Sequence, residues 1–158
     1  MNRVMDVKWP WIDGAHQLRA LLLDSLSNED LAFSPGGTNV SLGTLLREAG
    51  DVEYTYIQSL KTFKQDWSYH NMEPGLESDL AKLKAWYPTL DQEMKATIEA
   101  FSDDDLGKSV DRGTGSNLPV ELQLEAYLQA QLIYLGKAGV YFRAMDRELP
   151  QLFQDYIG

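Results

Sequence analysis

Apolar side chains recur every three or four residues in four stretches of the chain, and this spacing predicts four amphipathic helices. The first follows Pro10 and covers residues 12–26, the second covers 42–63, the third 78–101 and the fourth 118–150. No stretch shows the sustained alternation of apolar and polar residues that marks a half-buried strand. Four helices without strands predict an all-α fold, and specifically a four-helix bundle.

Local signals predict where these helices begin and where one of them bends. Asn39 or Ser41 can cap the second helix, because both side chains accept hydrogen bonds from the first backbone N–H groups of a helix. Pro88 lies inside the third helix and predicts a kink, since its ring clashes with the carbonyl four residues earlier. The polar segments 66–77 and 103–117 are predicted to be loops.

A short sequence is repeated where the first and third helices end. LSNEDL occupies residues 26–31 and FSDDDL occupies 101–106. Each contains a Ser that can accept backbone hydrogen bonds, and each precedes a Gly-containing turn and another long helix. Two helix–loop–helix units of similar design are one explanation. Chance similarity between two capping sequences, which draw on few residue types, is the other.

Composition narrows the possible functions. At 158 residues, 44% of them hydrophobic, the chain is predicted to form one domain over residues 1–158. Its net charge of -10 argues against binding to nucleic acid or to an anionic membrane, since both require clustered Lys and Arg. The absence of Cys excludes disulfides, zinc–thiolate sites and a thiol nucleophile. Without an apolar signal core or a long apolar run, we expect a cytoplasmic protein.

Three segments, taken in their order and spacing, resemble the DinB-like superfamily. They are LSNEDL at 26–31, SLGTLLREAGDVEYTYI at 41–57 and YLGKAGVYFRAMDRELP at 134–150. The resemblance implies a DinB-like four-helix bundle. In metal-binding relatives, one histidine on the second helix and two on the fourth hold a divalent ion such as Zn²⁺ or Ni²⁺. Some relatives are thiol-S-transferases or maleylpyruvate isomerases.

The resemblance also implies that this chain has lost most of the family's metal ligands. Glu48 falls at the position of the helix-two histidine, and Ala130 and Tyr134 fall at the helix-four pair. Alanine has no donor atom and neutral tyrosine is a poor zinc ligand, so we expect no metal cofactor. If Zn²⁺ or Ni²⁺ binds at all, Glu48 is its remaining ligand. His16 and His70 are not expected to restore the missing pair.

Several polar residues nevertheless fall on the inward faces of the predicted helices. Glu53 lies within the apolar stripe of the second helix, with Glu48 at its flank, and Gln131 lies mid-stripe on the fourth helix near Tyr127 and Tyr134. Buried polar groups need partners, so one interpretation is a satisfied hydrogen-bond network. The other is a small-ligand pocket at the former metal position, which Ala130 would also line.

The fourth predicted helix is apolar on its far side as well. The residues on that side are Leu122, Ala126, Ile133, Val140 and Ala144. A bundle buries only one broad face of each helix, so the surplus predicts a homodimer, and DinB-like relatives commonly dimerise. Alternatively, the N-terminal segment or a long loop covers this face.

Together these patterns predict a DinB-like protein without the trihistidine metal site, with a small-molecule-binding or non-catalytic role and an unidentified ligand. One alternative is a divalent-metal-dependent, thiol-S-transferase-like enzyme that uses Glu48 as a substitute ligand. Another is a dimeric interaction protein. Whether the protein is an enzyme stays open, with the loss of metal ligands favouring a non-catalytic role.

Overall fold

The computed structural model describes residues 2–157, which are mostly helical, and this confirms the predicted all-α class. The four long helices are α2 (Trp9–Asp24), α3 (Leu42–Thr62), α4 (Leu80–Glu99) and α5 (Val120–Ala144). The short helices α1 (Arg3–Val7) and α6 (Gln151–Ile157) lie at either end of the described chain. α3 packs against α4 and α5, and α2 packs against the same two helices.

Each long helix buries the apolar stripe that its sequence predicts. Leu22 of α2, Ile57 of α3, Leu83 of α4 and Leu124 of α5 are all fully buried in one hydrophobic core. Burying a side chain of this size stabilises the fold by roughly 1.5–3 kcal/mol, which makes this core the main source of stability.

The ends of α3 and α4 follow from capping side chains. Ser41 caps α3, as predicted, and its hydroxyl accepts a hydrogen bond from the backbone N–H of Thr44 at 3.1 Å. Asp79 caps α4 in the same way, one residue beyond the predicted start at Ser78. Pro88 lies on the exposed side of α4, which continues on both sides of it.

The predicted helix over 118–150 is wrong at both ends. α5 ends at Ala144, and the chain reverses through Asp146, whose φ is 54° in the left-handed region. Pro150 has no N–H to continue a helix, and α6 begins directly after it. α6 folds back on α5 at Gly139, where an added Cβ would lie 3.6 Å from the ring of Phe153.

The predicted loop over 103–117 contains regular structure. Strands β1 (Ser109–Asp111) and β2 (Asn117–Pro119) form an antiparallel hairpin in which Val110 pairs with Leu118. Val110 is fully buried, which anchors the hairpin on the bundle. Three-residue strands are too short to show the alternation on which a sequence prediction relies.

The repeated capping sequences form matching turns. In both, the backbone N–H and the hydroxyl of the Ser donate hydrogen bonds to one carboxylate oxygen three residues later. These are Ser27 with Asp30 at 2.7 and 2.9 Å, and Ser102 with Asp105 at 2.8 and 2.7 Å. The two segments are therefore similar in structure as well as in sequence.

Part of the far face of α5 is exposed to solvent. Leu122, Ile133 and Val140 have 50%, 58% and 58% of their surface exposed. The homodimer inferred from this face stays a prediction. Within the described residues, no helix combines the length and apolar character needed to cross a membrane.

Candidate functional site: a buried polar cluster

Six polar side chains meet in the middle of the bundle, and we call them the polar cluster. They are His16 and Arg19 from α2, Glu53 from α3, Asp91 from α4, and Tyr127 and Gln131 from α5. Residues three or four apart share a helix face, so α2 and α5 each present a pair to the centre. Five of the six are buried, whereas 30% of the Asp91 side chain is exposed.

Arg19 is the cation at the centre of the cluster. Its Nη1 donates to Glu53 Oε2 at 2.6 Å and to Gln131 Oε1 at 3.2 Å, and its Nη2 donates to Asp91 Oδ1. The guanidinium also stacks on the ring of Tyr87, with its carbon 3.9 Å from the ring centroid. Burial alone lowers the pKa of Arg19, but Glu53 and the other surrounding groups raise it above its usual value, so Arg19 stays charged.

His16 is held as a neutral imidazole. Burial, followed by the charge of Arg19, lowers its pKa to about 2. Its Nε2 lies 2.6 Å from the Tyr127 hydroxyl. Its Nδ1 lies 3.1 Å from Asp91 Oδ1, but this contact does not have hydrogen-bond geometry. The Tyr127 contact fits either tautomer; the one in which Nε2–H donates to Tyr127 leaves the lone pair of Nδ1 facing Asp91.

The charges of the cluster do not balance when Glu53 and Asp91 are both ionised. Burial raises the pKa of Glu53 to about 7, even though Arg19 acts in the opposite direction. Burial likewise raises the pKa of Asp91. With both carboxylates ionised and His16 neutral, the cluster has one more negative than positive charge.

Three atoms of the cluster are buried without a hydrogen-bond partner among residues 2–157. They are His16 Nδ1, Glu53 Oε1 and Gln131 Nε2. Buried polar atoms are nearly always paired, because an unpaired one costs roughly 1–3 kcal/mol. All three atoms lie together at the centre of the bundle.

A cleft between α2 and α4 connects this cluster with solvent. It has a volume of about 140 Å³, and His16, Arg19 and Asp91 line it. At its rim, the Lys84 ammonium pairs with Asp24 at 2.9 Å. The partial exposure of Asp91 therefore gives a ligand access to the buried groups.

The predicted site residues divide into two groups. Glu53, Tyr127 and Gln131 belong to the polar cluster, where Glu53 is fully buried, as predicted. Its principal partner is Arg19 of α2, whereas the expected partners were side chains of the fourth helix. Gln131 of the cluster and Tyr134 of the second group line one small cavity of about 10 Å³.

The second group, Glu48, Ala130 and Tyr134, lies toward the surface. The Glu48 side chain is 41% exposed and lies 3.8 Å from Arg47. Burial, followed by the charge of Glu48, raises the pKa of Tyr134, so its phenol stays neutral. One carboxylate, one neutral phenol and a methyl group do not form a suitable donor set for a divalent ion. The structure thus brings Glu53, Tyr127 and Gln131 together in the polar cluster, whereas Glu48, Ala130 and Tyr134 lie outside it.

Sequence reasoning missed His16, Arg19 and Asp91, and it placed His16 away from any site. One signal was available, because Arg19 falls inside the apolar stripe between Ala15 and Leu22, where an unpaired charge would be costly. The pairing of Arg19 with Asp91 depends on how α2 and α4 are rotated against α3. The spacing of apolar residues along the chain does not reveal this rotation.

His16, Glu53 and Asp91 each offer an atom of the type that binds metal, and these atoms lie within 4.8 Å of one another. Arg19 bonds both carboxylates directly, so its charge already occupies the position of a counter-ion. A divalent ion would have to approach this guanidinium closely, and the residues as arranged fit such an ion poorly.

Four long helices around a buried polar centre define a helical-bundle protein with an internal polar site. No protein-family model matches the sequence. No curated protein matches it either. Among solved structures, the chain is similar to a DinB-like protein, YjoA from Bacillus subtilis, with a TM-score of 0.70 and 16% identity. The match covers 88% of this chain and 92% of that chain, so this protein has the DinB-like fold.

Proposed function

We propose that this protein binds a small molecule, which enters the cleft between α2 and α4 and bonds to the polar cluster. The observation that carries the proposal is the unpartnered Nδ1 of His16, which lies 3.1 Å from a carboxylate oxygen of Asp91 at the cleft. A ligand that satisfies these acceptors removes a cost that the unliganded fold bears.

A binding role agrees better with the donor sets than metal-dependent thiol transfer does. The thiol-S-transferase alternative requires a metal at the family position, where Glu48 is the one good ligand and Ala130 supplies none. Arg19, in turn, disfavours a divalent ion in the polar cluster. We therefore propose a non-catalytic role for the DinB-like metal position in this chain.

Fragment screening by ¹H–¹⁵N correlation spectroscopy tests the binding role. The library contains cationic, neutral and anionic fragments of up to about five heavy atoms. We expect at least one class to shift the amide signals of His16, Ala20, Leu23 and Asp91. The variant Ala20→Trp fills the cleft and is expected to abolish these shifts. Binding that maps to Glu48 and Tyr134 instead would refute the proposed location.

A different observation favours a second role in self-association. The exposed side chains of Leu122, Ile133 and Val140 form an apolar face on α5, which a second copy of the chain can cover. This role does not compete with ligand binding, because the cleft lies between α2 and α4.

A further inference from the structure

We infer that the ligand of the polar cluster is a small primary amine, bound as its ammonium ion. The inference rests on the binding role proposed above and identifies the chemical class of the ligand. Three features carry it, namely the spacing of the acceptor atoms, the charge of the cluster and the shape of the cleft.

The spacing of the acceptors matches the hydrogen bonds of an ammonium group. One atom each from His16, Glu53 and Asp91 lie within 4.8 Å of one another. Arg19 already bonds the carboxylates of Glu53 and Asp91, so a ligand that enters the cleft meets His16 and Asp91, which both line it. A primary ammonium has three N–H donors, so it can donate to both of these residues.

The contact between His16 and Asp91 also calls for a donor. When Nε2 of His16 carries the proton and donates to Tyr127, Nδ1 presents its lone pair toward Asp91 Oδ1 at 3.1 Å. Two acceptor atoms at this distance repel each other. An ammonium group beside the pair can donate one N–H to each atom and so offset this repulsion, whereas an anion would increase it.

Charge distinguishes an ammonium from the other candidates. When Glu53 and Asp91 are both ionised, they carry two negative charges against the one positive charge of Arg19, so a single additional positive charge neutralises the cluster. A divalent ion would overcompensate and would need donor atoms at about 2.0–2.2 Å while adjoining the guanidinium. A neutral alcohol donates only one hydrogen bond and would leave one of the two acceptors without a donor.

The cleft sets the size and character of the rest of the ligand. Its volume of about 140 Å³ is below the range of clefts that hold drug-sized ligands, so the cleft suits a small molecule. Beyond the polar residues, the walls include Ala20, Leu23 and Pro88. These apolar walls suit a short alkyl chain, so a propylamine-sized molecule fits with its nitrogen toward Asp91.

A titration with matched probes tests the inference. The wild-type protein is titrated with n-propylammonium chloride, n-propanol, sodium propionate and Zn²⁺ alone, while the amide shifts and heats of binding are recorded. We expect n-propylammonium to bind in the cleft and the other probes to bind at least about tenfold more weakly, since hydrogen bonds to charged groups contribute about 1.5–3 kcal/mol each.

Two variants connect the binding to the cluster. Asp91→Asn removes one charge without changing size, and we expect it to weaken n-propylammonium binding at least about tenfold. Glu48→Gln removes the same charge at the family metal position, and we expect a change of less than about twofold. If Asp91→Asn does not fold, as judged by circular dichroism, Ala20→Trp serves instead, and it must abolish binding.

The outcomes separate this inference from the binding role. Binding of propanol or propionate in the cleft, without binding of the amine, overturns the inference and leaves the binding role standing. Zinc binding that Asp91→Asn abolishes also overturns the inference. If no probe or library fragment perturbs the cleft, both proposals are wrong.

Discussion

The pH dependence of stability should differ between the wild-type protein and the variant Glu53→Gln. The substitution keeps the size of the side chain and its hydrogen bond from Arg19 but removes the titratable carboxyl group. Glu53 is fully buried, so its effect on stability is not weakened by solvent screening.

The magnitude follows from the shift in the Glu53 pKa. Burial raises that pKa from 4.5 to about 7. Because the folded chain then binds a proton that the unfolded chain does not, the carboxyl group contributes stability that is present below pH 4.5 and lost as the pH rises toward 7. At about 1.4 kcal/mol per pH unit, the wild type loses about 3 kcal/mol relative to the variant across this window.

His16 acts in the opposite direction and must be separated from this effect. Its pKa is lowered to about 2, so the stability that its neutral form contributes is present above about pH 6.5 and lost as the pH falls. Both chains contain His16, so its contribution cancels in the difference between them.

The assay is urea unfolding of both chains at pH 5, 6, 7 and 8, followed by tryptophan fluorescence. The difference in the free energy of unfolding, wild type minus variant, should fall by about 1.4 kcal/mol per unit between pH 5 and 7 and level off above 7. Parallel curves for the two chains would refute the buried, high-pKa assignment of Glu53. Glu48→Gln, at a partly exposed carboxylate outside the polar cluster, is the control for removing one carboxylate elsewhere on α3.

Three further predictions concern packing, assembly and metal. Gly43→Ala should destabilise the fold by at least about 2 kcal/mol in urea, because its Cβ would lie 1.8 Å from the Glu77 carbonyl oxygen. Gly136→Ala is the control. Apart from the backbone of its own helix, no described atom lies within 4 Å of the added Cβ, so this variant should be neutral or stabilising. Sedimentation of the wild-type protein should give about twice the 17.9 kDa chain mass, and the variant Ile133→Glu should be a monomer. A monomeric wild type at micromolar concentration would disprove the dimer. Elemental analysis of the wild-type protein should find no stoichiometric divalent metal. The double variant Ala130→His, Tyr134→His is expected to raise the metal affinity of the site near Glu48. One metal per chain in the wild type, lost in Glu48→Ala, would favour the enzyme alternative.

The long helices could be predicted because their apolar stripes are regular over about four or more turns. Ser41 could be predicted as a cap for a local reason, since its hydroxyl needs only the next three residues. The hairpin around Val110 and the separation of α6 from α5 depend on packing against distant parts of the chain. The spacing of apolar residues does not reveal such contacts. The prediction based on it therefore continued the fourth helix through the turn at Asp146.

The candidate site was predictable only in part. Glu53 and Gln131 stand out because polar residues inside an apolar stripe must be paired. The identity of the partner was not predictable, since Arg19 and Asp91 meet Glu53 only through the rotation of α2 and α4. The resemblance directed attention to Glu48 and Tyr134, where family members bind metal, and away from His16.

The most direct test of ligand binding at the polar cluster is the imidazole ¹⁵N spectrum of His16, recorded with and without n-propylammonium. The chain has two histidines, so His70→Gln leaves one imidazole to observe. We predict a neutral ring with the proton on Nε2 that does not titrate between pH 5 and 8, and an Nδ1 signal that shifts as the amine is added. A His16 ring that titrates near pH 6.5, or an Nδ1 signal that responds to none of the probes, would contradict the proposed site.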